Sequence, residues 1–282
     1  MSSKSPQLVH TATIHTYGEP MGAEGQSEDG SRLVLSGSSV ATFLRCGQQW
    51  FFAYIANVKS PPSIKQAIGL TVHEAVEGNM LQKVTSAEDL PLNDVLDIFS
   101  TSWDAIEPEI EPENSEKPEK AKDSGIALVR KQHLEVAPAI QPVMVEEPVR
   151  FEVNGIPYSG TIDLVDDKRR VRDWKTASRK PATGTSHLLQ MTGYALAYRQ
   201  RTGLTESEIV LDYLIRTKEP QYLPIASGGP IDGGTIVKFA KVIEDVVAQV
   251  EAGRFLPNGL TNNACSWCGY TNICPYFKEY RT

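Results

Sequence analysis

No apolar run in this 282-residue chain is long enough to span a bilayer. The opening Met1-Ser2-Ser3-Lys4-Ser5-Pro6 lacks an apolar segment of the secretory type, so no signal peptide is expected and a cytoplasmic setting is. Net positive charge is also missing. The balance of −7 argues against loose, sequence-blind attraction to nucleic acid, though a local basic groove fits within it. Cysteine is scarce, at four residues. In a cytoplasmic chain these are expected as metal ligands or free thiols rather than disulfides. There are no internal repeats, which excludes a solenoid. What is present is 40% hydrophobic and 22% charged residues, the balance of a globular chain long enough to bury a real core.

Residues 1–32 are rich in Ser, Gly, Thr, Glu and Pro without periodicity, and are expected as a mobile tail with a short strand at Val9–Tyr17. Order should begin at Leu33, with Ser36 or Ser38 capping a helix, or two in sequence, that carries Val40, Phe43, Phe51 and Cys46. Further helices are expected at Ile64 to Lys83, after Pro91, at Asp123 to Val136, at Ser186 to Arg201 and at Thr235 to Ala252. Residues 107–122 alternate acids, prolines and lysines and read as an exposed acidic loop. Strands are expected at Val143–Val153, Pro157–Asp166, Arg170–Thr176 and Ile209–Arg216, with Tyr222–Ile225 pairing to the last. The order implies an α/β fold, a mixed sheet flanked by helices, in one domain over 33–282.

The chemistry concentrates at Gly160–Thr176. Two short strands are joined by the charged turn Asp166-Asp167-Lys168-Arg169-Arg170. Asp173 and Lys175 are two apart and share a strand face, and hairpin pairing brings Asp163 near it. Two carboxylates and an ammonium on one side of a sheet are costly to bury without a reason, and a hard divalent cation supplies one. The plain alternative is a surface hairpin with ordinary charges. Arg172 alternates with Asp173 and points to the opposite face, as does Trp174. Arg179 and Lys180 are therefore the better phosphate contacts.

A second centre lies at Cys265-Ser266-Trp267-Cys268, followed by Cys274-Pro275. With Cys46 it uses every cysteine in the chain. Cys-x-x-Cys with a later Cys-Pro has the spacing of 4Fe–4S ligand loops; four-cysteine zinc and buried free thiols are the competitors. Either metal would staple residues 33–60 to 255–282.

Taken in order, these segments resemble the RecB-like branch of the PD-(D/E)XK nuclease superfamily, with its restriction-endonuclease-like core. Within it the likeness is to the iron–sulfur exonucleases of the CRISPR-associated type, which also occur in phages. The resembling pieces are Leu35-Ser36-Gly37 through Cys46, Gly69-Leu70-Thr71-Val72-His73-Glu74, a glutamate at 146 or 147, Gly160-Thr161-Ile162-Asp163, Asp173-Trp174-Lys175-Thr176, Gln190-x-x-x-Tyr194, and the terminal Cys265, Cys268 and Cys274. Gly47 departs from the proline common after the first cysteine. The resemblance implies Mg²⁺ or Mn²⁺ on His73, Asp163, Asp173 and the carbonyl of Trp174, with Lys175 at the attacked phosphate. It implies a 4Fe–4S cluster on Cys46, Cys265, Cys268 and Cys274, and DNA held by Gln190, Tyr194, Arg179 and Lys180. The substrate it implies is single-stranded DNA or duplex ends, in recombination, repair or processing. Recombination or replication proteins are further partners, with no membrane, in the cytoplasm (a host's, if phage-encoded). From the residues alone, His73 reads first as a hydrogen-bonded core histidine, Tyr194 reads equally well as core packing, and Gln190 can be read as a strand-end cap. The competing function is a non-catalytic DNA-binding or recombination adaptor on a nuclease core.

Overall fold

The computed structural model describes residues 33–110, 116–181 and 187–279. The expected tail at 1–32 with its strand at Val9–Tyr17, the middle of the acidic stretch and the start expected for the helix at Ser186 lie outside these residues.

Strand β1 (Leu35–Ser36) runs straight into helix α1 (Gly37–Arg45). Ser36 is the cap: its hydroxyl accepts from the Ser39 amide, and Ser39 returns the bond to the Ser36 amide. The chain turns at Cys46, which is extended, and re-enters a helix as α2 (Gly47–Trp50) and a π-helical turn (Phe51–Ile55). Cys46 thus stands at a corner between helices. Helix α3 (Ile64–Ser86) opens on a second capping box, Ser63 with Gln66. It is buried on more than one side, which is why its apolar residues make no single clean stripe. Helix α4 (Leu92–Ile106) follows, with Val95, Phe99 and Trp103 on its buried face.

Helix α5 spans Pro118–Glu135 and corrects the expected loop at 107–122. Residues 118–122 are helical because proline suits the first helical turn, whose amides have no intrahelical partner, and because Ala121 is fully buried.

The sheet holds β1, β2 (Pro142–Val153), β3 (Ile156–Asp166), β4 (Arg170–Ala177), β5 (Glu208–Ile215) and β6 (Gln221–Ala226). Strands β2 and β3 form a long antiparallel hairpin turned by Asn154-Gly155, both at positive φ, the backbone that Asn-Gly favours in tight hairpins. The other edge of β3 is shared. Its start pairs parallel with β1 at Tyr158 and Ser159, and its end pairs antiparallel with β4 at Leu164 and Val165. Strand β4 then runs parallel to β5 from Arg170 to Ala177, and β6 closes the far edge antiparallel. Helix α6 (Leu188–Thr202) links β4 to β5, and α7 (Gly233–Glu251) follows β6.

Helices cover both faces. Phe43, Tyr158, Tyr198, Phe239 and Ile243 build the core on one side, under α1, α6 and α7. Val72, Val76, Phe99, Trp103, Leu128 and Trp174 build the other, under α3, α4 and α5. Each such aromatic contributes about 2–3 kcal/mol by leaving water. The mixed sheet between helices is the expected α/β architecture. After α7 the chain carries two 3₁₀ turns and the short helix α8 (Pro275–Glu279).

Candidate active site

The β3–β4 pairing stops just after Leu164↔Arg172. Continued by one residue, it would set Asp163 opposite Asp173. Instead the strands part there, and the Asp163 carboxylate accepts from the Trp174 amide at 3.2 Å, in place of a strand–strand bond. The fork places two aspartates where the ladder opens.

Helix α3 delivers the histidine. Gly69 passes close to β4: a Cβ there would stand 3.3 Å from Thr176 Oγ1. His73, one turn on, reaches Asp163 Oδ2 at 2.9 Å through Nε2. Glu146 completes the group, 3.5 Å from the same nitrogen. Among the described residues, His73, Glu146 and Asp163 are the trio of His, Cys, Asp or Glu residues whose ligand atoms all lie within 4.8 Å of one another.

Glu146 and Glu147 stood undecided in the sequence. The strand resolves them: Glu146 has a φ of 49°, left-handed, and drops out of the β2–β3 pairing between Val145 and Glu147, while its carboxylate lies 3.5 Å from His73. Glu147 instead pairs with Arg201 at 3.0 Å. Glu77, one turn beyond His73 on α3, is a further carboxylate in the same field. Burial raises its pKa, and His73, Glu74 and Asp163 are the charges it feels. Its i+4 spacing from His73 was the available signal.

Asp173 is completely buried and lies just outside the trio. Lys175 Nζ approaches its Oδ2 to 2.6 Å as an ion pair, while neither oxygen has a well-formed hydrogen bond. Burial and the charge of Asp163 push Asp173 up to about 7, against the pull of Lys175. Burial and Asp163 likewise push Glu146 up to about 7, against His73. Burial opposes charge on His73, but the hydrogen bond and charge of Asp163, with Glu146 behind, raise it to about 9. Burial opposes charge on Lys175 too, and Asp173 and Asp163 hold it protonated. This is a crowded, proton-sharing set of oxygens with a buried carboxylate short of donors, and it fits a hard divalent cation.

The sequence expected His73, Asp163, Asp173 and the Trp174 carbonyl around the cation. The closest-set trio has Glu146 in place of Asp173, with Asp173 beside it. The Trp174 indole packs into the core under α3–α5.

The Gln190 side chain donates to the Tyr194 hydroxyl at 2.8 Å. Burial raises the pKa of Tyr194, and Asp163 and Asp173 add to it, so the phenol sits near both carboxylates. Arg179 and Lys180 are exposed just beyond the end of β4. Arg172 is buried in a bidentate pair with Asp212, at 2.9 and 2.8 Å, and also meets Asp166 and Tyr222. Arg170 is held by Asp166 at 2.6 Å. Neither guanidinium serves a groove. His187, missed in the sequence, caps the start of α6; burial and nearby Lys175 push it down to about 4.

The family model for the PD-(D/E)XK nuclease superfamily matches residues 34–275. The chain belongs to this superfamily. Membership implies phosphodiester hydrolysis with divalent metal. Among solved structures, this nuclease is similar to a protein from Eubacterium rectale named as a putative exonuclease. The two are 14% identical over 88% of each chain, with a TM-score of 0.56, a likeness of fold. A second structure, SSO0001, is 16% identical over 78% of this chain and 88% of its own, with a TM-score of 0.38, too low to bear on the fold. No curated protein matches. No helix among the described residues is long and apolar enough to cross a membrane.

The four cysteines of the nuclease line one small cavity of about 20 Å³, with Phe52 and Tyr270 on its wall. They do not form a closed ligand cage: no three of their sulfurs lie within 4.8 Å of one another. Burial, with the neighbouring cysteines, raises the thiol pKa of Cys265 and of Cys268. The stapling by a cluster that the sequence suggested is therefore present only as converging thiols.

Proposed function

We propose that this nuclease is a divalent-metal-dependent DNA exonuclease acting on single strands or duplex ends, in recombination, repair or processing. The observation that carries the reading is Asp173, wholly buried, beside Asp163 and short of hydrogen-bond donors. His73, Glu146, Asp163 and Asp173 would hold Mg²⁺ or Mn²⁺, with the Trp174 carbonyl as a further ligand. When bound, such a cation supplies Lewis-acid polarisation of the phosphate and a lowered pKa for water. Lys175, held as an ammonium by Asp173 and Asp163, stabilises negative charge on the attacked phosphate. Tyr194, set by Gln190, orients a phosphate oxygen next to the carboxylates. Arg179 and Lys180 hold the backbone beyond the sheet. Exonuclease rather than endonuclease action follows the resemblance set out above, and the name of the Eubacterium rectale protein agrees. The setting is the cytoplasm, with one domain spanning 33–282.

The second cofactor is a 4Fe–4S cluster on Cys46, Cys265, Cys268 and Cys274. Support comes from the one cavity that all four line. Four thiolates on one zinc ion would stand about 3.8 Å apart, from a tetrahedron with 2.3 Å bonds. In a cluster each thiolate binds a different iron, so the four sulfurs would stand farther apart than on zinc.

The test is digestion of end-labelled single- and double-stranded DNA with Mg²⁺ or Mn²⁺. Asp173→Ala should abolish product, and Lys175→Ala should slow it roughly 100- to 1000-fold. Activity retained by either variant overturns the site. DNA binding with no Mn²⁺-dependent cleavage in the unaltered protein would make it an adaptor instead.

A further inference from the structure

Two stretches of this acidic chain contain no acid at all. Residues 33–72 carry Arg45, Lys59 and Lys65, and residues 252–278 carry Arg254 and Lys278, with no Asp or Glu in either, although the chain as a whole has 35 acids and a net charge of −7. The fold brings the two together. Asn262 donates to the Arg45 carbonyl at 2.8 Å, Asn258 to the Leu44 carbonyl at 3.4 Å, and Tyr270 to the Val58 carbonyl at 3.0 Å. The result is a locally basic lobe on an anionic molecule, with Lys59 and Arg254 exposed on it.

At its surface stands Trp267, 59% exposed. Its indole is not loose. The Arg45 guanidinium lies over the ring, 5.0 Å from the centroid. Arg45 is itself fixed, donating to Gln49 Oε1 at 3.0 Å and Thr42 Oγ1 at 3.2 Å. One face of the indole is thus backed by a pinned cation and the ring is presented to solvent. Exposing a large flat aromatic costs solvation, and a fixed geometry lowers the cost of ordering on binding. A fixed aromatic on a lobe built from two acid-free stretches is complementary to a ligand that is both flat and anionic.

We propose that Trp267 is a stacking platform for a base of single-stranded DNA, with Arg45 behind it and Lys59 and Arg254 drawing the phosphates. The choice of DNA rests on the nuclease reading above; the site does not involve the carboxylate centre.

The chain has four tryptophans, and the other three are buried: Trp50 at 1%, Trp103 at 0% and Trp174 at 7% exposure. Acrylamide-accessible indole fluorescence therefore belongs to Trp267. The experiment titrates the full-length protein, without added Mg²⁺ or Mn²⁺, with oligothymidylate of about 16 nucleotides. The oligonucleotide should shield this fluorescence from acrylamide. Trp267→Ala should weaken binding about ten-fold, and Trp267→Phe by much less, since a phenyl ring still stacks. Circular dichroism and visible absorbance identify any variant that misfolds, and Trp267→Phe with the shielding measurement then carries the test. Unchanged affinity in Trp267→Ala, or fluorescence no better shielded with DNA than without, overturns the proposal. Asp173→Ala tested separately for cleavage shows whether the nuclease reading falls with it. Shielding by a second copy of the chain, seen as concentration dependence without DNA, also overturns it.

Discussion

At the scale of single residues, the groups around Asp163 are held in their protonated forms more tightly than free side chains. His73 is raised to about 9, and Glu146 and Asp173 to about 7. A cation must displace those protons, so affinity for Mn²⁺ should climb between pH 6 and 9, by up to about ten-fold per pH unit for each proton released. Calorimetric titration in buffers of different ionisation enthalpy measures both the affinity and the proton count. His73→Gln should flatten the rise above pH 7. The same raised values make the contribution of these three groups to the stability of the metal-free protein greatest at low pH. The contribution of His73 is full below its ordinary 6.5 and is lost as pH passes about 9, so stabilisation by metal should widen over that window. The placing of Asp163, Asp173 and Lys175 about one sheet face was legible because strand alternation is a local property, whereas His73 came from the family resemblance alone. Glu146 was not separable from Glu147, because a left-handed backbone at Glu146, within an otherwise regular register, decides which of the two faces His73. No local pattern announces a positive φ at a glutamate.

At the scale of elements, β4 is fixed to β5 and to the turn before it by one buried cation. Arg172 stands between Asp212 and Asp166, with Tyr222 donating to Asp212 at 2.6 Å. Burial opposes the charge on Arg172, and Asp212 more than restores it. Arg172→Ala would leave the buried Asp212 without its cation and Asp166 with Arg170 alone, and should lower stability by about 3–5 kcal/mol in urea denaturation. Mn²⁺ affinity of the molecules still folded should hold, since Arg172 touches none of the metal candidates. Larger loss of metal affinity than of stability would contradict this division. Alternation put Arg172 on the face away from Lys175, but its partner lies 40 residues downstream. A sequence pattern reports the face and not the partner. The early start of α5 escaped for a similar reason: acids and prolines gave polar composition, while the burial of Ala121 depends on packing from elsewhere.

For the whole molecule, the cysteine-lined cavity joins segments some two hundred residues apart, as the 210-residue separation of Cys46 and Leu256 illustrates. Gly47 belongs to this joint. A Cβ there would lie 2.7 Å from the Leu256 amide nitrogen, so the residue that departs from the usual proline serves packing as well as the turn. Bridging so long a loop constrains the unfolded chain by about 4–5 kcal/mol on the scale of a covalent cross-link. Cys268→Ala should therefore lower the melting temperature and remove visible thiolate–iron absorbance, with roughly four irons per chain in the unaltered protein. A colourless wild-type protein carrying zinc would assign the cavity to the other metal. The mixed sheet flanked by helices was legible from periodicity, and the order of strands across it was not. The convergence of the chain's early and late segments was foreshadowed only by the count of cysteines.

The fork between β3 and β4 has one more consequence. The Trp174 amide sits within a central strand, yet the acceptor that closes it is the Asp163 carboxylate. Its exchange with solvent deuterium should then follow the state of that carboxylate rather than global unfolding. Loading Mn²⁺, or replacing Asp163 with Ala, should change protection at this one amide while amides along the β4–β5 ladder keep theirs. A single backbone hydrogen inside the sheet becomes a reporter of whether the site is charged and filled.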